Sequence, residues 1–198
     1  IQEGIDAAME SDTVLVDQGI YYENLILQKN ITLASNAIYD DLTEWVEWNE
    51  IEEKYEITND NIVNTIIDGS NDTNGEDFES TILINSPEDE CIEPTIFGFT
   101  ITGGGGTTAT FLDSEGNNIV ESRGGGFLSY NALPTISYNF ITDNNDDSLY
   151  TSAGNGGDQS AGDAIRNTLQ GYTFGRPRCE GNVDYSDNSF DYTTEIGK

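Results

Sequence analysis

Two stretches of this chain space oxygen-bearing side chains in the way a hard cation requires. Asp143, Asn145 and Asp147 alternate along one run, and Ser70, Asp72, Asn74, Gly75 and Asp77 resemble an acidic calcium loop lacking its terminal bidentate glutamate. Calcium gathers about six to eight oxygen ligands, so alternating Asp and Asn side chains suit it. The metal candidates are therefore Asp143, Asn145, Asp147, Asp72, Asn74 and Asp77, with calcium as the implied cofactor. The same residue types also fill tight corners, where Asn and Asp side chains bond nearby backbone. At both stretches the two readings stand side by side.

Other chemistries are closed off by what the chain lacks. It has no histidine, which removes the commonest general base and the commonest transition-metal ligand, and with them any Ser-His-Asp or Cys-His mechanism within the chain. Its 37 acidic residues against 7 basic ones give a formal charge of −30. A phosphate backbone or an anionic membrane would be repelled, so nucleic acid and membrane surfaces are excluded as partners. No stretch reaches the apolar length of a transmembrane helix. An acidic surface of this kind fits a saline or extracellular setting, calcium binding, or simple solubility. Cys91 and Cys179 are either one disulfide tying the C-terminal region to the body or two buried thiols. Asn30-Ile31-Thr32 and Asn71-Asp72-Thr73 match the short glycosylation sequon, and Ile1 as first residue points to a mature product or an excised domain.

These groups need a frame. Ile1, Ile5, Ala8 and Met9 recur at helical spacing, predicting a short amphipathic helix ended by Ser11 and Asp12. Thr13–Asp17, Glu23–Leu27 and Ile31–Ser35 are strand-like runs rich in β-branched residues, with Gly19 and Tyr21-Tyr22 marking a corner. Three short strands with tight corners in 23 residues have the shape of one coil of a parallel β-helix. Thr65–Gly69 and Thr81–Asn85 add further strands. Pro94-Thr95-Ile96 with Ile101-Thr102 then recurs 40 residues later as Pro134-Thr135-Ile136 with Ile141-Thr142, as stacked coils require. The stretch between Gly103–Gly106 and Gly124–Gly126 reads as a loop bulging from a corner; no Gly-Lys-Ser/Thr follows to make a phosphate cradle. A threonine face of the kind that binds ice gains little support, since Thr100 and Thr102 are followed one coil on by Phe140 and Thr142.

Two regions leave this pattern. Residues 36–62 mix Trp45, Val46, Trp48, Ile51 and Tyr55 with many glutamates, and helical spacing of Leu42, Trp45, Val46 and of Ile51, Tyr55 predicts a helix or hairpin packed on the coils. Its tryptophans either pin it to the body, the favoured reading, or form a sugar-stacking platform. Residues 145–198 are acidic and rich in turns, and approach the composition of disorder. A disulfide, cations or a neighbouring chain would be needed to order them.

The opening Ile1–Ala8, Asp12–Val16 and Gly19–Asn24, together with Lys29–Leu33, Thr65–Gly69 and Gly98–Thr102, resemble proteins of the pectate-lyase-like superfamily over roughly residues 1–144. The resemblance implies an all-β, right-handed parallel β-helix (a solenoid) with an N-terminal capping helix. The expected organisation is that body over 1–144, interrupted at 36–62, and an irregular segment 145–198 packed on the body or on a neighbouring chain. The superfamily holds both enzymes and inert repeat modules, so the fold alone names no activity. Its lyases use carboxylate-held calcium with an Arg or Lys base, yet Lys29, Lys54, Arg123, Arg166, Arg176, Arg178 and Lys198 show no such setting. Gly175-Arg176-Pro177 and Asp147-Ser148-Leu149-Tyr150 are similar to pectin methylesterase segments, but Arg178 stands where that family has Trp and another of its motifs is missing. The expectation is a secreted or cell-surface, non-catalytic module for assembly or adhesion. Its partners would be copies of itself or a polysaccharide, with calcium as a further ligand; a polysaccharide-active enzyme is the alternative.

Overall fold

The computed structural model describes residues 1–51, 54–71, 78–87, 90–112, 118–130, 132, 134–144, 165–168 and 189–190. Strands dominate these residues and helices are short. The first pass of the chain is α1 (Gln2–Ala7), β1 (Thr13–Val16), β2 (Gly19–Tyr22) and β3 (Leu25–Leu27). The second is β4 (Thr32–Ser35), a hairpin of β5 (Val46–Asn49) and β6 (Lys54–Ile57), α2 (Asp60–Asn64), β7 (Thr65–Asp68), β8 (Phe78–Glu79) and β9 (Ile82–Asn85). The third is β10 (Thr95–Phe97), β11 (Thr100–Thr102), a hairpin of β12 (Gly106–Leu112) and β13 (Asn118–Arg123), and β14 (Phe127–Tyr130). The last is β15 (Thr135–Ser137), β16 (Phe140–Ile141) and β17 (Ile165–Thr168), followed by β18 (Ser189–Phe190).

Three parallel sheets carry the body: β1-β4-β10-β15 (sheet A), β2-β7-β11-β16-β18 (sheet B) and β3-β9-β14-β17 (sheet C). Each pass visits A, then B, then C. Because side chains alternate across a strand, register decides which of them meet. In sheet A, Val14, Leu33, Ile96 and Ile136 align, and in sheet B Tyr21, Ile67, Ile101 and Ile141. In sheet C the matching set is Leu25, Ile82 and Phe127. These ladders meet in one apolar core, where each fully buried aliphatic is worth about 1.5–3 kcal/mol.

The 40-residue echo is a pairing register: Thr95 faces Thr135, Ile96 faces Ile136 and Ile101 faces Ile141. The first pass is shorter than its sequence implies. Gly19–Tyr22 is a strand rather than a corner, with Tyr21 packed on the core, and Thr32 pairs with Thr13. The run 31–35 therefore opens the second pass instead of closing the first.

Helix α1 packs against β3 and buries Ile5 in the core. The Glu23 carboxylate accepts from the backbone nitrogens of Ile1 (2.6 Å) and Gln2 (2.8 Å), where unpaired N–H groups favour an anion. Lys29 Nζ donates to the carbonyls of Ile5, Asp6 and Ala8 at the other end, at 3.1, 2.7 and 2.9 Å. Met9 lies beyond the helix and is exposed, contrary to its place in the helical pattern.

Of the two forms expected for the insertion, its centre takes the hairpin, a β-ribbon, with the short helix α2 following it. Val46 and Trp48 alternate with Glu47 and Asn49, a period of two that the helical spacing of Leu42, Trp45 and Val46 masks. The glycine-bounded stretch is likewise a hairpin rather than a loop, with β12 paired to β13 and to β8. Its glycines form two feet in contact: a Cβ on Gly104 would fall 1.9 Å from the Gly125 carbonyl oxygen. Cys91 is disulfide-bonded, which selects the bridge over the free thiol; Cys179 lies outside the described residues. From the segment 145–198, β17 and β18 are described, and they extend sheets C and B of their own chain.

Candidate functional site

Attention falls on the corner that follows sheet B, because each acidic stretch begins in the sequence a few residues after a sheet B strand. Asp68 ends β7, just before the stretch containing Asp72, Asn74 and Asp77; Asp143 follows β16, just before Asn145 and Asp147. Between those strands lies β11, whose corner residue is Gly103. Gly103 N donates to the Asp143 carbonyl (3.1 Å), and Gly69 N to the Thr102 carbonyl (2.8 Å). Asp68 Oδ1 accepts from Ser70 N (2.9 Å) and lies where a Cβ on Gly103 would go. Topology thus places Asp68 and Asp143, which precede the two stretches in sequence, on the strand to either side of β11 or just after it.

Beneath this corner runs a buried polar network. Asn24 Nδ2 donates to the carbonyls of Gly69 (3.0 Å) and Ser80 (3.2 Å). Asn144 Nδ2 donates to the Ile101 and Thr142 carbonyls, both at 3.0 Å, while its Oδ1 accepts from Gly104 N at 2.9 Å. Thr81 Oγ1 sits 3.0 Å from the Thr102 carbonyl and 3.2 Å from Asn144 Oδ1. Ser80 and Thr107 pair their hydroxyls at 2.7 Å. Leaving such groups unpaired would cost about 1–3 kcal/mol each, so the corner is held rigidly from within.

Asp143 is exposed, has φ of 52° and receives the Thr142 hydroxyl at 3.3 Å. It turns the corner in the left-handed region that Asp tolerates better than most residues. Of the six metal candidates it alone is described; Asn145, Asp147, Asp72, Asn74 and Asp77 lie outside the described residues. Among the described residues, no group of three or more carboxylate or thiol side chains is placed to hold a metal.

The basic residues among those described lie on separate elements. Lys29 is committed to the end of α1. Arg166 pairs in register with Leu128 in sheet C, and Arg123 pairs across its hairpin with Thr107. Arg176, Arg178 and Lys198, and the esterase-like segments at 147–150 and 175–177, lie outside the described residues.

The two tryptophans of the insertion part company. The Trp45 ring meets that of Tyr138 edge-on at 5.8 Å, and Tyr138 leans on Phe97 at 5.1 Å, which pins the ribbon's root. Trp48 is 51% exposed, and Ile51 at the turn 94%. At the same root Asp40 accepts from Asn59 Nδ2 (2.9 Å) and Asn61 Nδ2 (2.8 Å), and these donors hold its carboxyl below the ordinary carboxylate range. Asp41 is lowered by the Thr43 hydroxyl and backbone N–H. The sequence poses pinning and display as alternatives; the ribbon does both, one tryptophan to each. The cross-strand alternation of 46–49 with 54–57 is the signal that separates them. No helix among the described residues is long and apolar enough to cross a membrane.

Comparison with protein families, with curated proteins and with solved structures finds no match to this chain.

Proposed function

We propose that the chain is a right-handed parallel β-helix acting outside the cell as a non-catalytic module of surface, matrix or filament assembly or adhesion. The observation that carries this reading is the repeated A-B-C order of the strands, with inward residues in register from pass to pass. A chain that revisits three parallel sheets in fixed order winds as a solenoid, and parallel crossovers are right-handed in about 98% of cases. Helix α1 then closes one end. The disulfide at Cys91 suits an oxidising compartment, and the acidic surface suits a saline one. Glu23 and Lys29, an acid and a base of the first pass, serve as ties for α1 rather than as a reactive pair. The pectate-lyase-like resemblance belongs to this reading at the level of fold.

Calcium enters it as a ligand of the corner where Asp68 and Asp143 flank Gly103, joined by the stretches that follow each. Polysaccharide and further copies of the chain are its expected partners, with calcium as the bridge between like charges. The test is to incubate the purified protein with polygalacturonate and with its methyl ester in millimolar calcium. No release of unsaturated or demethylated product is expected, together with a calcium-dependent rise in melting temperature; at a free concentration of 100 Kd the stabilisation is about 2.7 kcal/mol. Sustained turnover would overturn the non-catalytic reading, and an unchanged melting temperature would remove calcium from it.

A further inference from the structure

The β5–β6 ribbon has two unlike faces. Val46 pairs with Ile57 and Trp48 with Tyr55 on one; Glu47 pairs with Glu56 and Asn49 with Lys54 on the other. Its root is fastened by Thr58 N to the Trp45 carbonyl (2.8 Å), by the Thr58 hydroxyl to the Glu44 carbonyl (2.7 Å), and by the Trp45–Tyr138 contact. Beyond that root Trp48 is half exposed and Ile51 almost fully so. Glu44, Glu47, Glu50 and Glu56 are exposed around them, and residues 36–62 carry nine carboxylates (40, 41, 44, 47, 50, 52, 53, 56 and 60) against the single base Lys54.

We infer that this ribbon is an interaction surface for a cationic protein segment, one that carries arginine or lysine beside apolar side chains. An aromatic anchor inside a polar rim is the arrangement that dominates binding energy at protein interfaces. A guanidinium or ammonium can stack on the indole face while the surrounding carboxylates steer its approach. Charge decides among occupants: a second copy of this chain at −30, or an anionic polysaccharide, meets repulsion at the glutamates, whereas a cationic segment meets attraction. Asp40 and Asp41 add two further carboxylates to that field at the ribbon's root. The inference rests on the protein being a binding module, and it is tested separately from catalysis and from calcium.

The probe is a synthetic peptide of alternating arginine and leucine, titrated into the full chain carrying Trp45→Phe, so that Trp48 is the sole reporter. The expected result is a blue shift of its emission, with an affinity that falls as salt rises. The double variant Trp48→Ala, Ile51→Ser should bind about tenfold more weakly or worse, measured by calorimetry on the otherwise natural chain. Both positions are exposed, and an unchanged urea midpoint confirms that the variant is folded. Glu47→Lys with Glu50→Lys should slow association while leaving the body intact. Equal affinity for the double variant, or no binding at low salt, would overturn the inference. So would a dimer that the double variant abolishes, or a Trp48 shift caused by a neutral oligosaccharide and not by the peptide.

Discussion

The third and fourth passes turn two equivalent corners on the same backbone with different residues. Between sheets A and B the left-handed position is Gly98 (φ 81°) in the third pass and Tyr138 (φ 56°) in the fourth. After sheet B it is Gly103 (75°) and then Asp143 (52°). Dihedral preference alone would ask for glycine at all four. The neighbourhood supplies the difference. A Cβ on Gly98 would lie 2.7 Å from Ser35 Oγ and 2.9 Å from Ala37 Cβ, and one on Gly103 would lie 2.2 Å from Asp68 Oδ1. Tyr138 and Asp143 are not enclosed in this way: one lays its ring across Phe97 and Trp45, and the other is exposed. Crowding by the preceding pass, more than the turn itself, dictates glycine.

The largest effect expected from this comparison is at Gly98. Gly98→Ala adds left-handed strain and a methyl group with no space, and should cost about 3 kcal/mol, read from the urea midpoint at constant slope. A loss below about 1 kcal/mol would mean that the crowding is not real. At Tyr138 the order of variants is the test. Tyr138→Ala loses the ring contacts but keeps the strain, whereas Tyr138→Gly loses both, so Gly should be the more stable by about 1 kcal/mol. Both should alter Trp45 fluorescence.

Smaller still is Asp143→Gly, which restores the residue type of the preceding pass and should change stability in calcium-free buffer by no more than about 0.5 kcal/mol. The same variant in calcium tests the ligand role, because a true ligand loses its calcium-dependent stabilisation while the fold stays put. Least is the pH effect at Asp40, on the root against which Tyr138 leans. Its folded pKa is depressed, so its contribution is present above the ordinary value of 3.8 and is lost as pH falls through the lower folded value. Side-chain amide resonances of Asn59 and Asn61 should titrate with a midpoint below 3.8, and Asp40→Asn should flatten them. A midpoint at or above that value would show the donors to be ineffective.

How much of this was legible in advance varied with the physical signal. The 40-residue echo was readable because stacked positions fill equivalent slots, so Ile96 and Ile136 had to match in kind. The first pass misleads because Gly19–Tyr22 carries a glycine and a tyrosine pair, residues as much at home in corners as in strands. The ribbon imitates a helix at Trp45 and Val46, on the changeover from root to strand, where two periodicities overlap. The metal candidates were the least legible. An Asp that turns a corner and an Asp that binds calcium present the same oxygen at the same spacing, and the left-handed backbone at Asp143 shows the first role without bearing on the second. Buried Asn24, Asn139 and Asn144 confirm how the corners use such side chains; Asn139 Oδ1 accepts from Phe99 N at 3.0 Å while its amide donates to the Ile96 and Ser137 carbonyls.

Lys29 draws three carbonyls of α1 together while Ile5 sits in the core below them. The consequence is mechanical polarity. A load applied beyond Cys179 passes through the disulfide to Cys91, so the strands between the two cysteines are shielded from it. Applied through α1, the same load must break the lysine's three bonds and extract Ile5 in a single event. One end of the molecule is thus held by packing and hydrogen bonds and the other by a covalent bond, so reduction should weaken only the second.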